Sequence, residues 1–441
     1  MFNPHLIDFD EGFWLLLLIL EFICLFIWLM ASPKARLAWA QPTIIASVIY
    51  FYYTILGPLA ALITANYFDR QVNLRDAFKM GWQGAAVSFA SFLIGYYFSR
   101  PRLITPKFIS TFNSDQSFRL GLAFNLISIC IFILLSGTQT FFLISLFLGN
   151  SQVLEAENFS LGGFYNYFAL SVNLFIPGNL LLVSSSLKSR RNTPEVILWL
   201  IISSFVFILL GFRYRLAMLF AGIIIIRLLA KGRSPNLFKL TLVLLLFIFF
   251  AGLIVITRTY GLGLDLQRLN EVNISDVFAL GLSESNIFLT SGAVMSLVPF
   301  SIPYAGITPF LNVLLFVIPA SLLPSKNTFG YLSDAFSVVY GSATEASGAF
   351  ILNYAEYFLI GGWPVVIAMN FILGFLFRRV WFWFYLRQQE PLAQVVYVTF
   401  VIYLYMIISR GYLAQVVMLF CYTVLPGFLA YYFLARPSKT F

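Results

Sequence analysis

Apolar residues run through this chain in long blocks, parted by short breaks rich in proline, glycine or charge. A helix needs roughly 20 predominantly apolar residues to cross a hydrocarbon core, so the pattern predicts membrane helices. The blocks fall at 13–30, 43–66, 82–98, 120–137, 163–187, 196–212, 216–230, 237–256, 353–377, 392–409 and 413–435. Between 257 and 352 the rhythm changes. A polar loop, RTYGLGLDLQRLNEVNISDVFALGLSESN, is followed by two shorter apolar runs at 286–300 and 307–323, punctuated by Pro299, Pro303, Pro309, Pro319 and Pro324, and then by a Ser/Gly-rich loop. Those runs suit either a full hairpin or re-entrant and interfacial segments, so the expectation is 11 or 13 spans.

The expected architecture is therefore an all-α polytopic membrane protein: an N-terminal bundle of eight helices over 1–256, an outer-face loop module over 257–352, and three C-terminal helices over 353–441. Composition agrees. Hydrophobic residues make up 60% of the chain and charged ones 10%, with a mean hydropathy of +0.89, far from the roughly 25% charged residues of soluble domains. The first apolar run follows an acidic segment and lacks a basic n-region or an A-x-A-like site, which argues against a cleaved signal peptide. No internal repeat is visible, and this removes the usual sequence pointer to a secondary transporter.

Charge sets the expected orientation. With the N-terminus (Asp8, Asp10, Glu11) outside and the C-terminus inside, 18 of the 27 basic residues fall on the inner face and 14 of the 18 acids on the outer face. Two separate biases agree with the positive-inside rule. The net charge of +9 is mostly this inner-face bias, and nucleic acid is not indicated as a partner.

Much enzyme chemistry is excluded. The one histidine, His5, is in the N-terminal tail, so no Ser/His/Asp arrangement, histidine base or His-rich metal site can form in the bundle. There is no P-loop, and GLGLDLQ shares only glycine spacing with dinucleotide-binding turns. Cys24, Cys130 and Cys421 lie in separate apolar blocks and read as small core residues.

What remains is a set of cations on the face where lysine and arginine are normally depleted. Arg213 and Arg215 flank Tyr214 in GFRYRLA, at a short turn between two helices, and Arg258 opens the long loop in VITRTYG. Neighbouring arginines at a helix N-terminus offer forked donors to phosphate oxygens, and the helix dipole adds attraction. Headgroup snorkelling is the plainer alternative. Arg268 within the loop, Lys326 in LLPSKN and Arg410 in the turn SRGYLAQ are further candidates, set against a solvated loop or an interfacial anchor. Among acids on the same face, Glu284, Asp334, Glu345 and Glu356 flank the two apolar outer runs. A partly desolvated carboxylate can take a proton from a sugar hydroxyl, although solvation or pairing with arginine would explain most of them. Glu21, mid-helix, must face the bundle interior or a polar cavity. Tyrosines including Tyr260, Tyr304 and Tyr331 suit glycan contacts and an interfacial aromatic belt equally.

Three segments resemble one family. GFRYRLA is similar to a Gly-x-Arg turn, IPASLLPSK (318–326) to a Pro-rich segment ending in Pro and Lys, and AEYFLIGGWP (355–364) to a Glu-Tyr entry into a glycine-bearing helix. In this order, with the long outer loop in place, the C-terminal half resembles the Wzy-type oligosaccharide repeat-unit polymerases, or O-antigen polymerases; the N-terminal half matches in hydropathy alone. The resemblance implies a glycosyltransferase-C-like enzyme of the bacterial inner membrane. It would join undecaprenyl-diphosphate-linked oligosaccharides, as donor and acceptor, into a surface polysaccharide on the outer face, with no metal, nucleotide sugar or other cofactor. A chain-length regulator and a flippase would be its partners. Arg213, Arg215 and Arg258 would hold the diphosphate, seconded by Lys326 and Arg410, and Glu356 or Glu345 would activate the acceptor hydroxyl. Arg268, Glu284, Tyr214 and Tyr260 would contact glycan. The alternatives are an O-antigen ligase, whose outer-loop histidine has no counterpart here, and a lipid-linked oligosaccharide flippase.

Overall fold

The computed structural model describes residues 8–30, 37–65, 67–69, 71–99, 114–136, 170–189, 193–209, 213–232, 286–316, 318, 330–342 and 349–434, with isolated positions between 245 and 281. The described chain is mostly helical. Six helical stretches in it are long and apolar enough to cross a membrane: Phe9–Trp28, Pro42–Ile63, Ser114–Leu134, Asn353–Tyr385, Pro391–Ser409 and Leu413–Phe433. The chain is a multi-pass membrane protein of the all-α class. Its contacts gather into two units, one built from residues 1–103, 282–382 and 404–417, the other from 104–281, 383–403 and 418–441.

The first unit opens with α1 (Phe9–Met30), α2 (Pro42–Phe51), a π-helical turn (Tyr52–Leu56) and α3 (Gly57–Thr64). Pro42 suits the first position of α2 because that N–H has no partner within the helix. The π turn loosens the backbone ladder, and the Thr54 carbonyl there accepts the buried Trp82 indole N–H at 2.8 Å. Ala65, left-handed at φ 52, turns the chain into a two-stranded ribbon, β1 (Phe68–Asp69) antiparallel to β2 (Val72–Asn73).

Next comes α4 (Ala77–Phe98), which has small residues at Gly81, Gly84, Ala85, Ala86, Ser88, Ser91 and Gly95. Small residues let helix backbones approach closely where no hydrophobic force drives them together. A Cβ on Gly95 would run into the Phe371 carbonyl, and one on Gly374 into the Phe92 carbonyl. This glycine pair therefore seats α12 (Asn353–Tyr385) against α4. On another side α9 (Asn286–Leu297) packs Phe288 against Gly81 and Met295 against Gly84.

The apolar runs of the 257–352 region form α9, with 12 residues, and α10 (Thr308–Phe316), with 9. At about 1.5 Å per residue both are too short for a core of about 30 Å, and α9 is buried from Phe288 to Met295. Of the two expectations, the described residues fit re-entrant or interfacial segments rather than a full hairpin. α11 (Tyr331–Tyr340) follows. Then α12 breaks at Gly361 and Gly362, the latter at φ 72 and ψ −160, a left-handed backbone that strongly favours glycine. The carbonyls of Leu359 and Ile360 freed by the break accept from the N–H groups of Ala305 (2.8 Å) and Gly306 (3.1 Å). Past the break α12 continues to Tyr385, farther than the 353–377 block expected. α14 (Leu404–Ser409) and the start of α15 (Leu413–Thr423) complete the unit.

The second unit holds α5 (Ser114–Ser136), α6 (Phe175–Ser189), α7 (Thr193–Leu209), α8 (Arg213–Lys231), α13 (Pro391–Ile402) and α16 (Leu425–Leu434). α5 and α6 meet at Gly121 and Gly178, where a Cβ on Gly121 would lie 2.8 Å from the Gly178 carbonyl. Buried Asn179 fixes the contact, giving its Nδ2 to Phe175 O at 2.8 Å and to Asn125 Oδ1 at 3.5 Å. Tyr431 of α16 donates to Glu390, just before α13, at 2.9 Å.

Candidate functional site

The structure gives two places where predicted residues sit among described neighbours, one in each unit. In the first unit the centre is Glu356, in the first turn of α12 and 2% exposed. Its Oε1 accepts the Tyr331 hydroxyl from α11 and the Leu413 backbone N–H at 2.8 Å. Leu413 opens α15, so the carboxylate meets one of the N–H groups that a helix N-terminus leaves unpaired, on the favourable side of its dipole. The Tyr331 phenol is pushed well above its ordinary pKa, by burial first and by the adjacent carboxylate second. It stays protonated and works only as the donor. Tyr412, its ring 6.4 Å from that of Tyr331, is raised for the same two reasons.

Arg410 lies in the turn before α15, its guanidinium 4.0 Å above the centre of the Phe350 ring. The turn presses on the chain ahead of α12: Gly411 N–H bonds Ile351 O at 2.7 Å, and a Cβ on Gly411 would lie 2.7 Å from Leu352 O. Glu356 is thus bonded by Tyr331 and Leu413 rather than by Arg410. Through these bonds the carboxylate ties α11, α12 and α15 together. Oε2 takes part in neither of these two bonds.

A second carboxylate in this unit escaped the sequence reading. Asp69, in the ribbon, accepts from the Tyr340 hydroxyl at 2.6 Å and the Thr290 hydroxyl at 3.4 Å, so it fastens α9 and α11 to the ribbon. Nearby, Arg75 grips Glu11 through two bonds of 2.6 and 2.8 Å, and Lys79 pairs with Asp10 at 2.6 Å. Both N-terminal acids are therefore spoken for by cations of the same expected face.

In the second unit α8 begins at Arg213. The helix starts earlier than the 216 expected, so the two arginines lie in its first turn. Arg215 is 1% exposed. Its guanidinium lies 5.6 Å from the Tyr214 ring and 6.0 Å from the Phe207 ring, and its Nε donates to the Tyr214 hydroxyl at 3.3 Å. A headgroup-snorkelling arginine would point into the lipid surface; this one is folded back among aromatic rings. Tyr214 acts as its support, a role that adjacency in sequence could have suggested.

Arg258, Tyr260, Arg268, Glu284, Lys326 and Glu345 lie outside the described residues, as does the side chain of Arg213. Among the described residues no group of His, Cys, Asp and Glu is arranged to hold a metal ion. The residues that sequence reasoning missed, Phe207, Phe350, Asp69 and Tyr412, carry no motif; only the fold brings them to a charge. Comparison of the chain with models of protein families, with curated proteins and with solved structures finds no match in any of the three.

Proposed function

We propose that this protein polymerises oligosaccharide repeat units carried on undecaprenyl diphosphate, transferring a growing glycan from its lipid diphosphate to the sugar hydroxyl of another lipid-linked unit. The observation that carries the reading is Arg215, a buried arginine in the first turn of α8 next to Arg213. A cation withdrawn from water in a membrane protein is costly and marks a working site or a buried pairing. Stacked on Phe207 and Tyr214, its fork is pre-oriented, and the α8 N-terminus adds partial positive charge. A diphosphate held there would leave as a stabilised anion, so the attacking hydroxyl needs only modest help from a base. The family resemblance gives that help to Glu356 or Glu345. The orientation expected from charge would put this chemistry on the outer face.

One observation favours a transporter for the same lipid. A helix broken within its apolar length, like α12 at Gly361–Gly362, is a common device of transport sites. Here, however, the freed carbonyls are taken by Ala305 and Gly306, which leaves them closed to a passing ion. The test is a reconstituted assay of purified protein with a synthetic undecaprenyl-diphosphate oligosaccharide. A ladder of longer products that vanishes in folded Arg213→Ala and Arg215→Ala supports the polymerase. Movement of that lipid between leaflets with no ladder would replace it with the flippase.

A further inference from the structure

At the end of the first unit away from the ribbon lies a group of buried polar atoms, two of which, the Tyr97 and Thr43 hydroxyls, are beside each other. Trp39 Nε1, Thr43 Oγ1, Tyr97 Oη and Arg378 Nε are buried atoms with no hydrogen-bond partner among the described residues. Trp39 lies in the short 3-10 turn before α2, Thr43 in the first turn of α2, Tyr97 in the last turn of α4 and Arg378 on the lower half of α12. Thr43 is 0% exposed. The Arg378 guanidinium sits among three rings, 4.6 Å from Phe382, 4.8 Å from Tyr96 and 5.8 Å from Tyr97. The Tyr97 hydroxyl neighbours both Arg378 and Thr43, and Tyr96 donates to Gln41 at the N-cap of α2 at 3.3 Å, so α2, α4 and α12 converge here.

Every one of these groups can donate, and two of them, the indole and guanidinium N–H, can only donate. Gln41 gives α2 no side-chain cap, so the helix N-terminus adds its own unmet attraction for negative charge. Residues 22–68, 77–114 and 357–389, which carry these groups, contain no Asp or Glu. A buried donor without an acceptor costs about 1–3 kcal/mol. Four together describe a site for an anion.

The surroundings decide which anion. The span Phe9–Trp28 ends here and the span Pro42–Ile63 begins here, which is the depth of lipid headgroups. Beside the donors, Ile94 and Phe98 of α4 and Ile372 and Leu376 of α12 are at least half exposed and form an apolar strip. We propose that this end of the unit binds the phosphate of an anionic lipid headgroup, with Arg378, Trp39, Thr43 and Tyr97 as donors and the acyl chains lying along that strip. The site is built from residues of the first unit alone and does not depend on the polymerase reading.

The test titrates detergent-purified full-length protein with phosphatidylglycerol, with diacylglycerol as the phosphate-free lipid, and with inorganic phosphate, following bound adducts by native mass spectrometry. Phosphatidylglycerol should be retained over diacylglycerol. Trp39→Phe, Thr43→Val and Arg378→Gln should each weaken that retention about tenfold or more, the loss expected when one hydrogen bond to a charged group disappears. Arg379→Gln, an exposed neighbour, should leave it unchanged. The two conservative changes, Trp39→Phe and Thr43→Val, remove single donors with little volume lost, so a folding defect in Arg378→Gln would not obscure the answer. Equal retention by wild type and all variants would overturn the site, and inorganic phosphate binding as tightly as the lipid would overturn its assignment to a headgroup.

Discussion

Glu356 shows how one carboxylate can be asked two questions by two substitutions. Glu356→Ala strands the Tyr331 hydroxyl and the Leu413 N–H, each part-buried, and should cost about 1–3 kcal/mol per group. That loss would appear as a clear fall in Tm in detergent. Glu356→Gln keeps an acceptor at the same place and should leave Tm nearly intact. If Oε2 is the base, the glutamine variant is folded and makes no ladder; if the carboxylate only ties helices, the ladder persists. Arg215 is probed in the same manner. Arg215→Lys keeps the charge but loses the planar fork that lies among Phe207 and Tyr214, and arginine and lysine are not interchangeable at stacked or bidentate sites. Its product ladder should fall about tenfold or more relative to wild type, with expression unchanged. At this scale the sequence revealed the charges, since a lone arginine in an apolar chain stands out, but not their partners. Phe207 and Phe350 look like any other core phenylalanine until the fold sets a guanidinium on each.

At the scale of elements, glycine carries the architecture. The crossing of α4 and α12 brings backbone against backbone at Gly95 and Gly374. Gly95→Leu has no side chain to push aside, only the Phe371 carbonyl, so the helices must part. Overpacking of this kind costs about 1–3 kcal/mol or more, and thermal unfolding in detergent should register it. Gly427→Ala is the matched control, because its new Cβ would meet Val396 at an ordinary 3.7 Å. The break in α12 yields a second ordering. Gly362→Ala forces an alanine to φ 72 at roughly 1–2 kcal/mol, whereas Gly361 sits in extended backbone and an added Cβ meets only the movable Val365 side chain at 2.8 Å. Gly362→Ala should therefore lower Tm more than Gly361→Ala. The blocks of apolar residues foretold the long helices well, because burying a helix in lipid demands the same composition wherever it occurs. They could not foretell the break, since two adjacent glycines are compatible with a continuous helix, nor choose between a full hairpin and short segments for the runs after residue 286.

For the whole molecule, the orientation inferred from charge is open to a direct check. With Cys24, Cys130 and Cys421 replaced by serine, a single cysteine at Asn73 in the ribbon should react with a membrane-impermeant thiol reagent on intact cells. One at Lys188, closing α6, should react only after permeabilisation. The reverse pattern would put the arginines of α8 on the cytoplasmic side and end the polymerase reading. By itself the sequence determined the class, an all-α chain of membrane-spanning helices, and placed its one histidine in the N-terminal tail. These are properties of composition and period, which the lipid solvent reads locally. Only the tertiary structure decided that residues 282–382 assemble with 1–103, that Glu356 is clasped by Tyr331 and Leu413, and that Trp39, Thr43, Tyr97 and Arg378 gather at the far end of α4. Such meetings join positions far apart in the chain, and they depend on which helix faces which, something that no run of neighbouring residues encodes.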